Sequence, residues 1–238
     1  MAPIEALPDS EAGFAYASVY ALATGIALSQ SLLAMKERGY ELFRSALILG
    51  VAVATGIVGA HLIVEVARYL NFEDEGARSS MFGGIVLFAP SLWVLSKLFR
   101  VSAEHSFAIA ATYSALAMAV GRVGCFLRGC CSGAVLGADI TLIASFIDMA
   151  LFLYLAVRMA RTGPDTSILV TFLLVYGLKR YFLGFVRHDW REALLGLSIY
   201  QVMGLMMCMA GMTVWWVSRR KGQNTSTECA SCIGPPVN

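Results

Sequence analysis

The chain has 238 residues, of which 58% are hydrophobic and only 14% charged, with a mean hydropathy of +0.69. Soluble domains carry about 25% charged residues, so this composition excludes a water-soluble globular domain and indicates a polytopic membrane protein. The formal net charge of +2 excludes little; the placement of the charges says more.

The first residues, Met1 to Gly13, contain Glu5, Asp9 and Glu11 and no Lys or Arg. That is the opposite of the basic start of a signal peptide, so no cleaved leader is expected. A hydrocarbon core about 30 Å thick needs about 20 apolar residues per helix. Seven stretches meet that need: Phe14–Ala34, Ser45–Leu70, Met81–Leu98, Val101–Leu127, Ile140–Ala160, Ser167–Val186 and Ser198–Val217. Gly83, Gly84 and Pro90 interrupt the third. The expected fold is all-α, with seven transmembrane helices in one domain over residues 1–220 and a disordered polar tail over 221–238. No internal repeat divides the chain into two halves.

Basic residues alternate between connections. Lys36, Arg38 and Arg44 lie after the first span, Lys97 and Arg100 after the third, Arg158 and Arg161 after the fifth, and Arg219, Arg220 and Lys221 after the seventh. The other connections are acidic or mixed, with Glu73, Asp74 and Glu75 in one and His188, Asp189, Arg191 and Glu192 in another. The positive-inside rule then places the N-terminus outside and the C-terminus in the cytoplasm. Trp215 and Trp216 suit an inner aromatic belt, and Tyr69, Phe72 and Trp190 an outer one. Gly56 and Ala60, one turn apart, offer span two a small-residue face for close packing.

Arg122 and Arg180 stand inside apolar spans, in the frames Gly121-Arg122-Val123-Gly124-Cys125-Phe126 and Tyr176-Gly177-Leu178-Lys179-Arg180-Tyr181-Phe182. A guanidinium at mid-membrane costs about 2.5–3.5 kcal/mol even on lenient scales and does not deprotonate to escape. Helical spacing puts His61 and Glu65 on one face of span two, and Tyr176, Lys179, Arg180 and Arg187 at successive turns of span six. Asp148 lies in span five and Gln201 in the first turn of span seven. In one reading these charges pair with one another, Glu65 and Asp148 with the arginines, and only fasten helices. In the other, the excess of cations forms a cavity for an anionic headgroup. His61 fits helix packing as well as catalysis, and Lys179 has the length to snorkel to the surface.

The cysteines leave alternatives open. Cys125, Cys130 and Cys131 at the end of span four are apolar fillers, a disulfide between Cys125 and one of the vicinal pair, or reactive thiols. Cys229 and Cys232 form a C-x-x-C without a second ligand pair, which does not make a metal site. Cys208, among methionines, is a packing residue. No metal, cofactor or nucleic-acid partner is expected.

At these frames the chain resembles the prolipoprotein diacylglyceryl transferases, bacterial membrane enzymes of seven spans. The family signature G-R-x-G-N-F-x-N-G-E-x-x-G is similar to the run from Gly121 to Gly133, which keeps the glycines, Arg122 and Phe126. Its asparagines are replaced by Cys125 and Arg128 and its glutamate by Cys130. A second element, Y-G-x-x-R-F-x-x-E-F-x-R, resembles the run from Tyr176 to Arg187. Here Tyr176, Gly177, Arg180 and Arg187 match and Gly184 stands for the glutamate. Gln201 matches a family glutamine, and Gly59-Ala60-His61-Leu62 resembles the family's Gly-Ala-Arg-Leu. The element S-F-H-G-G has its counterpart in Ser80-Met81-Phe82-Gly83-Gly84, with Phe82 at the family's catalytic histidine.

The resemblance implies transfer of diacylglycerol from phosphatidylglycerol to the thiol of a lipobox cysteine in a preprolipoprotein signal peptide, with glycerol phosphate leaving. It implies a multi-pass protein of the bacterial inner membrane whose site faces the outer leaflet. Arg122, Arg180, Tyr176 and His61 are the expected catalytic residues, His61 as the base. Gly121, Gly124, Cys125, Glu65, Arg187, Gln201, Gly83 and Gly84 are the expected substrate-binding residues. A lipid-binding protein that kept the cavity and lost the chemistry is the alternative, as is a transferase with another acceptor. A seven-helix transporter or receptor does not account for the two arginine frames.

Overall fold

A computed structural model describes residues 9–69, 81–128, 134–135, 138–186, 192–194 and 196–231. Seven helices carry the fold: α1 (Asp9–Glu37), α2 (Leu42–Tyr69), α3 (Met81–Leu98), α4 (Ala103–Arg128), α5 (Ile140–Thr162), α6 (Thr166–Leu183) and α7 (Ile199–Ser231). Six are long and apolar enough to cross a membrane, and α3 is a shorter apolar helix over Gly83–Leu98. The polytopic all-α expectation is therefore met.

Helix boundaries follow local chemistry. Asp139 caps α5 by accepting from the Thr141 amide at 2.7 Å. Asp165 caps α6 by accepting from the Ile168 amide at 3.1 Å. Such side chains satisfy amides that the first helical turn leaves without partners. Gly163 ends α5 with φ 80°, a left-handed conformation that costs glycine little. α6 ends at Leu183, short of the expected Val186, because Phe185 and Val186 donate in tight turns to Phe182 and Leu183. Helix α7 continues past its apolar part to Ser231, through the stretch that composition assigns to a tail.

The connections divide the bundle into two ends. Short turns join α1 to α2, α3 to α4 and α5 to α6 at the basic end. Two β-hairpins at the other end were not expected from the sequence: β1 (Ala134–Val135) with β2 (Ala138–Asp139), and β3 (Glu192–Leu194) with β4 (Leu197–Ser198).

An apolar core lies toward the basic end, where Met35, Ile48, Leu92, Ile109, Leu155 and Ile168 are almost wholly buried. Polar staples reinforce that end. The Tyr40 hydroxyl meets His105 Nδ1 at 2.7 Å, and Glu104 accepts from both the amide and the hydroxyl of Thr166. Phe14, Leu22, Phe43, Leu98 and Phe146 point outward, as expected of a surface solvated by lipid chains.

The main helix pairs are α6 with α7, α2 with α3, and α1 with α4. Glycines set these close approaches. A Cβ on Gly204 would lie 2.6 Å from the Gly177 carbonyl oxygen and 2.8 Å from the Tyr181 amide nitrogen. A Cβ on Gly56 would lie 3.3 Å from Phe88 Cβ, and one on Gly59 would overlap the Gly83 carbonyl. The small-residue face expected on α2 is thus its seam with α3.

Candidate functional site

α4, α5, α6 and α7 meet at the hairpin end around a cleft of about 350 Å³ of empty space, part of it open to the outside. α4 contributes Arg122, α5 contributes Ile140, Thr141 and Ala144, and α6 contributes Lys179, Arg180, Leu183 and Gly184. Tyr200 on α7 completes the lining. The first turns of α5 and α7 both border this space, and helix N-termini favour anions. Among the described residues the lining carries three cations and no carboxylate.

The arginines reach the cleft because their neighbouring glycines take the opposite faces of the helices. A Cβ on Gly121 would lie 3.2 Å from the Tyr20 ring, and one on Gly124 3.3 Å from Val19 Cβ, so both bury against α1. Arg122, between them, turns toward α5 and α6. Gly177 likewise buries against α7, where its Cβ would lie 2.7 Å from the Gly204 carbonyl oxygen. Gly121, Gly124 and Gly177 therefore act through helix approach. None of the three lines the cleft.

Around the cations the site is aromatic. Tyr176 is 1% exposed and stacks on Phe172 with centroids 5.5 Å apart. Lys179 Nζ lies 4.2 Å and Arg180 Cζ 5.7 Å from the Tyr176 ring centroid. Arg180 Cζ also lies 5.6 Å from the Tyr200 centroid. These rings hold the cations through their π faces. Lys179 donates to Asp148 Oδ1 in a buried ion pair between α6 and α5. Asp148 is fully buried, with Arg122 and Arg180 as further electrostatic neighbours.

The expected residues thus separate into groups. Arg122, Arg180 and Tyr176 come together. Gln201 is 1% exposed and belongs to a helix cap: its Oε1 accepts from the Ser198 backbone N–H at 2.7 Å, and its own backbone N–H donates to Ser198 Oγ at 3.3 Å. This is a reciprocal capping box, and the spacing Ser198-x-x-Gln201 before an apolar run was its signal. Gln201 also fills the space beneath Gly184, where a Cβ would lie 2.7 Å from Gln201 Cγ. Cys125 is buried against α1, its Sγ 3.5 Å from the Tyr20 hydroxyl.

Gly83 and Gly84 sit in the α2–α3 seam, opposite Gly59 and Gly56. His61 and Glu65 are exposed on α2, and neither lines the cleft. α2 packs chiefly on α3, so the structure does not bring His61 to the arginines as a base. Arg187, Cys130, Cys131 and Cys232 lie outside the described residues. Asp148 pairs with Lys179 rather than with an arginine, the partner expected from the sequence, and Lys179, which had the length to snorkel, is buried instead; Lys179, Thr141 and Tyr200 were not among the expected site residues. Lys179 was legible as a residue one turn beyond Tyr176.

Fold and cleft together define a polytopic membrane protein with a cationic, aromatic-lined site within its helices. Residues 13–217 match the family model of prolipoprotein diacylglyceryl transferase. The chain belongs to that family. It is 24% identical to phosphatidylglycerol–prolipoprotein diacylglyceryl transferase 2 of Clostridium perfringens, over 81% of this chain and 86% of that protein. It is 25% identical to the phosphatidylglycerol–prolipoprotein diacylglyceryl transferase of Dehalococcoides mccartyi strain BAV1, over 74% of this chain and 77% of the relative. A similarly named protein of Clostridium tetani is 25% identical over 79% and 86%.

Proposed function

We propose that the protein transfers diacylglycerol from phosphatidylglycerol to the thiol of a lipobox cysteine in a prolipoprotein signal peptide, as the names of its relatives describe for them. The observation that carries this reading is the convergence of Arg122 and Arg180, from separate helices, on one cleft without a carboxylate in its described lining. Sulfur attacks the lipid glycerol carbon that bears the phosphate. The S–C bond forms, the C–O bond breaks, and the electron pair leaves on glycerol phosphate while the thiol proton passes to solvent. The two guanidiniums suit the phosphate because each offers a planar fork of donors to its oxygens. They act most strongly where charge grows during bond cleavage, in a site of low dielectric. Tyr176 backs both Lys179 and Arg180 and holds them toward the cleft.

The alternation of basic connections supports an orientation with the N-terminus outside and this cleft toward the outer leaflet of the bacterial inner membrane. The test is transfer of labelled diacylglycerol from phosphatidylglycerol to a lipobox-cysteine peptide in liposomes, with Arg122→Ala as control. Transfer that vanishes in the control is the expected result. Absence of transfer by the unaltered protein sinks the reading.

One specific observation favours a second reading, a phospholipid-binding protein without turnover. Phe82 stands at the family histidine's place and His61 lies away from the cleft. Retained phosphatidylglycerol binding without transfer to peptide or lipid acceptors would select it.

A further inference from the structure

The basic end of α7 carries two consecutive cations that the cleft does not use. Arg219 Cζ lies 4.4 Å from the Trp215 ring centroid, and Arg220 Cζ lies 3.5 Å from that of Trp216. Each arginine is folded back over the tryptophan one turn before it. We propose that these stacked guanidiniums form a site for the phosphate of an anionic phospholipid, in the leaflet at the basic end of the bundle. The site is separate from the cleft and does not rest on the transferase reading.

Three ordinary uses of a terminal arginine do not fit here. The first is an ion pair. α7 carries no carboxylate before Glu228, about two turns beyond Arg220. Among the described residues neither arginine has an acidic partner. Other arginines at this end do bond to protein: Arg44 meets Glu41, Arg38 donates to the Ala34 carbonyl and Arg158 to Ser167 Oγ, each at 2.7 Å. The second use is a helix C-cap. α7 runs on to Ser231, so the carbonyls around Arg219 and Arg220 belong to the helix interior. The third is snorkelling, in which a long cationic side chain extends past the helix end into water. Stacking on the ring four residues earlier turns both guanidiniums the other way, by up to about 6 Å toward the apolar part of α7.

Tryptophans at a membrane boundary settle at the level of the headgroups, so the charges stacked on them are held at that level. Trp215 and Trp216 are half-exposed and Met209 and Met212, on the turns before them, are exposed. This face of α7 therefore meets lipid. An indole takes only the flat face of a guanidinium and leaves the N–H groups along its edge available. Phosphodiester oxygens are the anions found at that depth, and they accept from such a fork. Ring and headgroup occupy different sides of the same cation and do not compete.

The test uses the full-length protein in phosphatidylcholine vesicles, with Trp93→Phe/Trp190→Phe leaving Trp215 and Trp216 as the only tryptophans. Brominated phosphatidylglycerol or brominated phosphatidylcholine is added at equal mole fraction, and quenching of the two tryptophans reads lipid contact. Lipid in the cleft does not register, because Tyr200 lies about 22 Å away along α7 at 1.5 Å per residue. Brominated phosphatidylglycerol should be preferred by about fivefold or more, the value of one interfacial basic residue. Arg219→Gln/Arg220→Gln should abolish the preference. Both arginines are exposed, so their replacement leaves the packed bundle intact. Arg219→Lys/Arg220→Lys keeps the charge but loses the fork and the stack, and should remove most of the preference. Lys36→Gln/Lys97→Gln removes as much charge from exposed positions at the same end and should leave the preference as it was.

Equal quenching by the two lipids before the arginines are altered overturns the proposal, as does a preference that survives the glutamine pair. Full preference in the lysine pair would reduce the site to diffuse charge and overturn it too. The same holds if the Lys36/Lys97 variant loses the preference.

Discussion

The α2–α3 seam and the α4–α6 cleft are built from the same kind of sequence, glycines one turn apart in apolar helices, and they do different things. In α2 and α3, Gly56, Gly59, Gly83 and Gly84 face one another and the helices close completely. In α4 and α6, Gly121, Gly124 and Gly177 face outward to α1 and α7, and the arginines beside them are left facing each other's helices. Glycine determines where backbones touch; the residue on the other face determines whether a site results. His61 shows the complementary point, since it stands among these glycines yet lies exposed.

Replacing either guanidinium should separate the two regions most sharply. Arg122→Ala or Arg180→Ala is expected to lower transfer by about 100- to 1,000-fold, the range for losing a donor that meets developing charge. Arg→Lys at either position should lose most of that activity too, because the forked donor geometry goes with the guanidinium. Full activity in Arg180→Lys would mean that charge alone suffices.

Next in size are the seams. Gly204→Leu would drive a side chain against the Gly177 carbonyl and the Tyr181 backbone, costing about 3 kcal/mol or more. Thermal unfolding should show that loss, and transfer per folded molecule should fall with it, because Tyr181 adjoins Arg180. Gly59→Val should destabilise comparably through the Gly83 carbonyl while transfer per folded molecule stays normal. Equal effects on activity would erase the distinction between seam and site.

Gln201→Ala tests a cap against a ligand. Losing the capping box should cost about 1 kcal/mol of stability, with KM for phosphatidylglycerol unchanged. A raised KM would return Gln201 to the binding residues. The smallest effect is expected for His61→Gln, an exposed site where substitutions stay within about 0.5 kcal/mol, so transfer should remain within about twofold. A large loss of kcat there would show that α2 reaches the cleft during turnover.

Much of this was legible in the chain, for definite reasons. Helices could be placed because spanning hydrocarbon demands long apolar runs with every backbone group bonded internally. The arginines stood out because charge is costly in those runs. α6 was misjudged at its end because a turn after Leu183 is as apolar as the helix before it. The hairpins after α4 and α6 were missed because their strands are only two or three residues long.

The sequence by itself determined which stretches form helices long and apolar enough to cross a membrane, and where along each the charges fall, since hydropathy and helical rise are local properties. It did not determine direction around each helix axis. Whether Asp148 meets Lys179 or an arginine, whether Gln201 caps a helix or touches a ligand, and whether His61 faces the cleft depend on which helices are neighbours and how each is rotated. Those relations join residues far apart in the chain, and only the packed bundle decides them, through the glycines that let one backbone approach another.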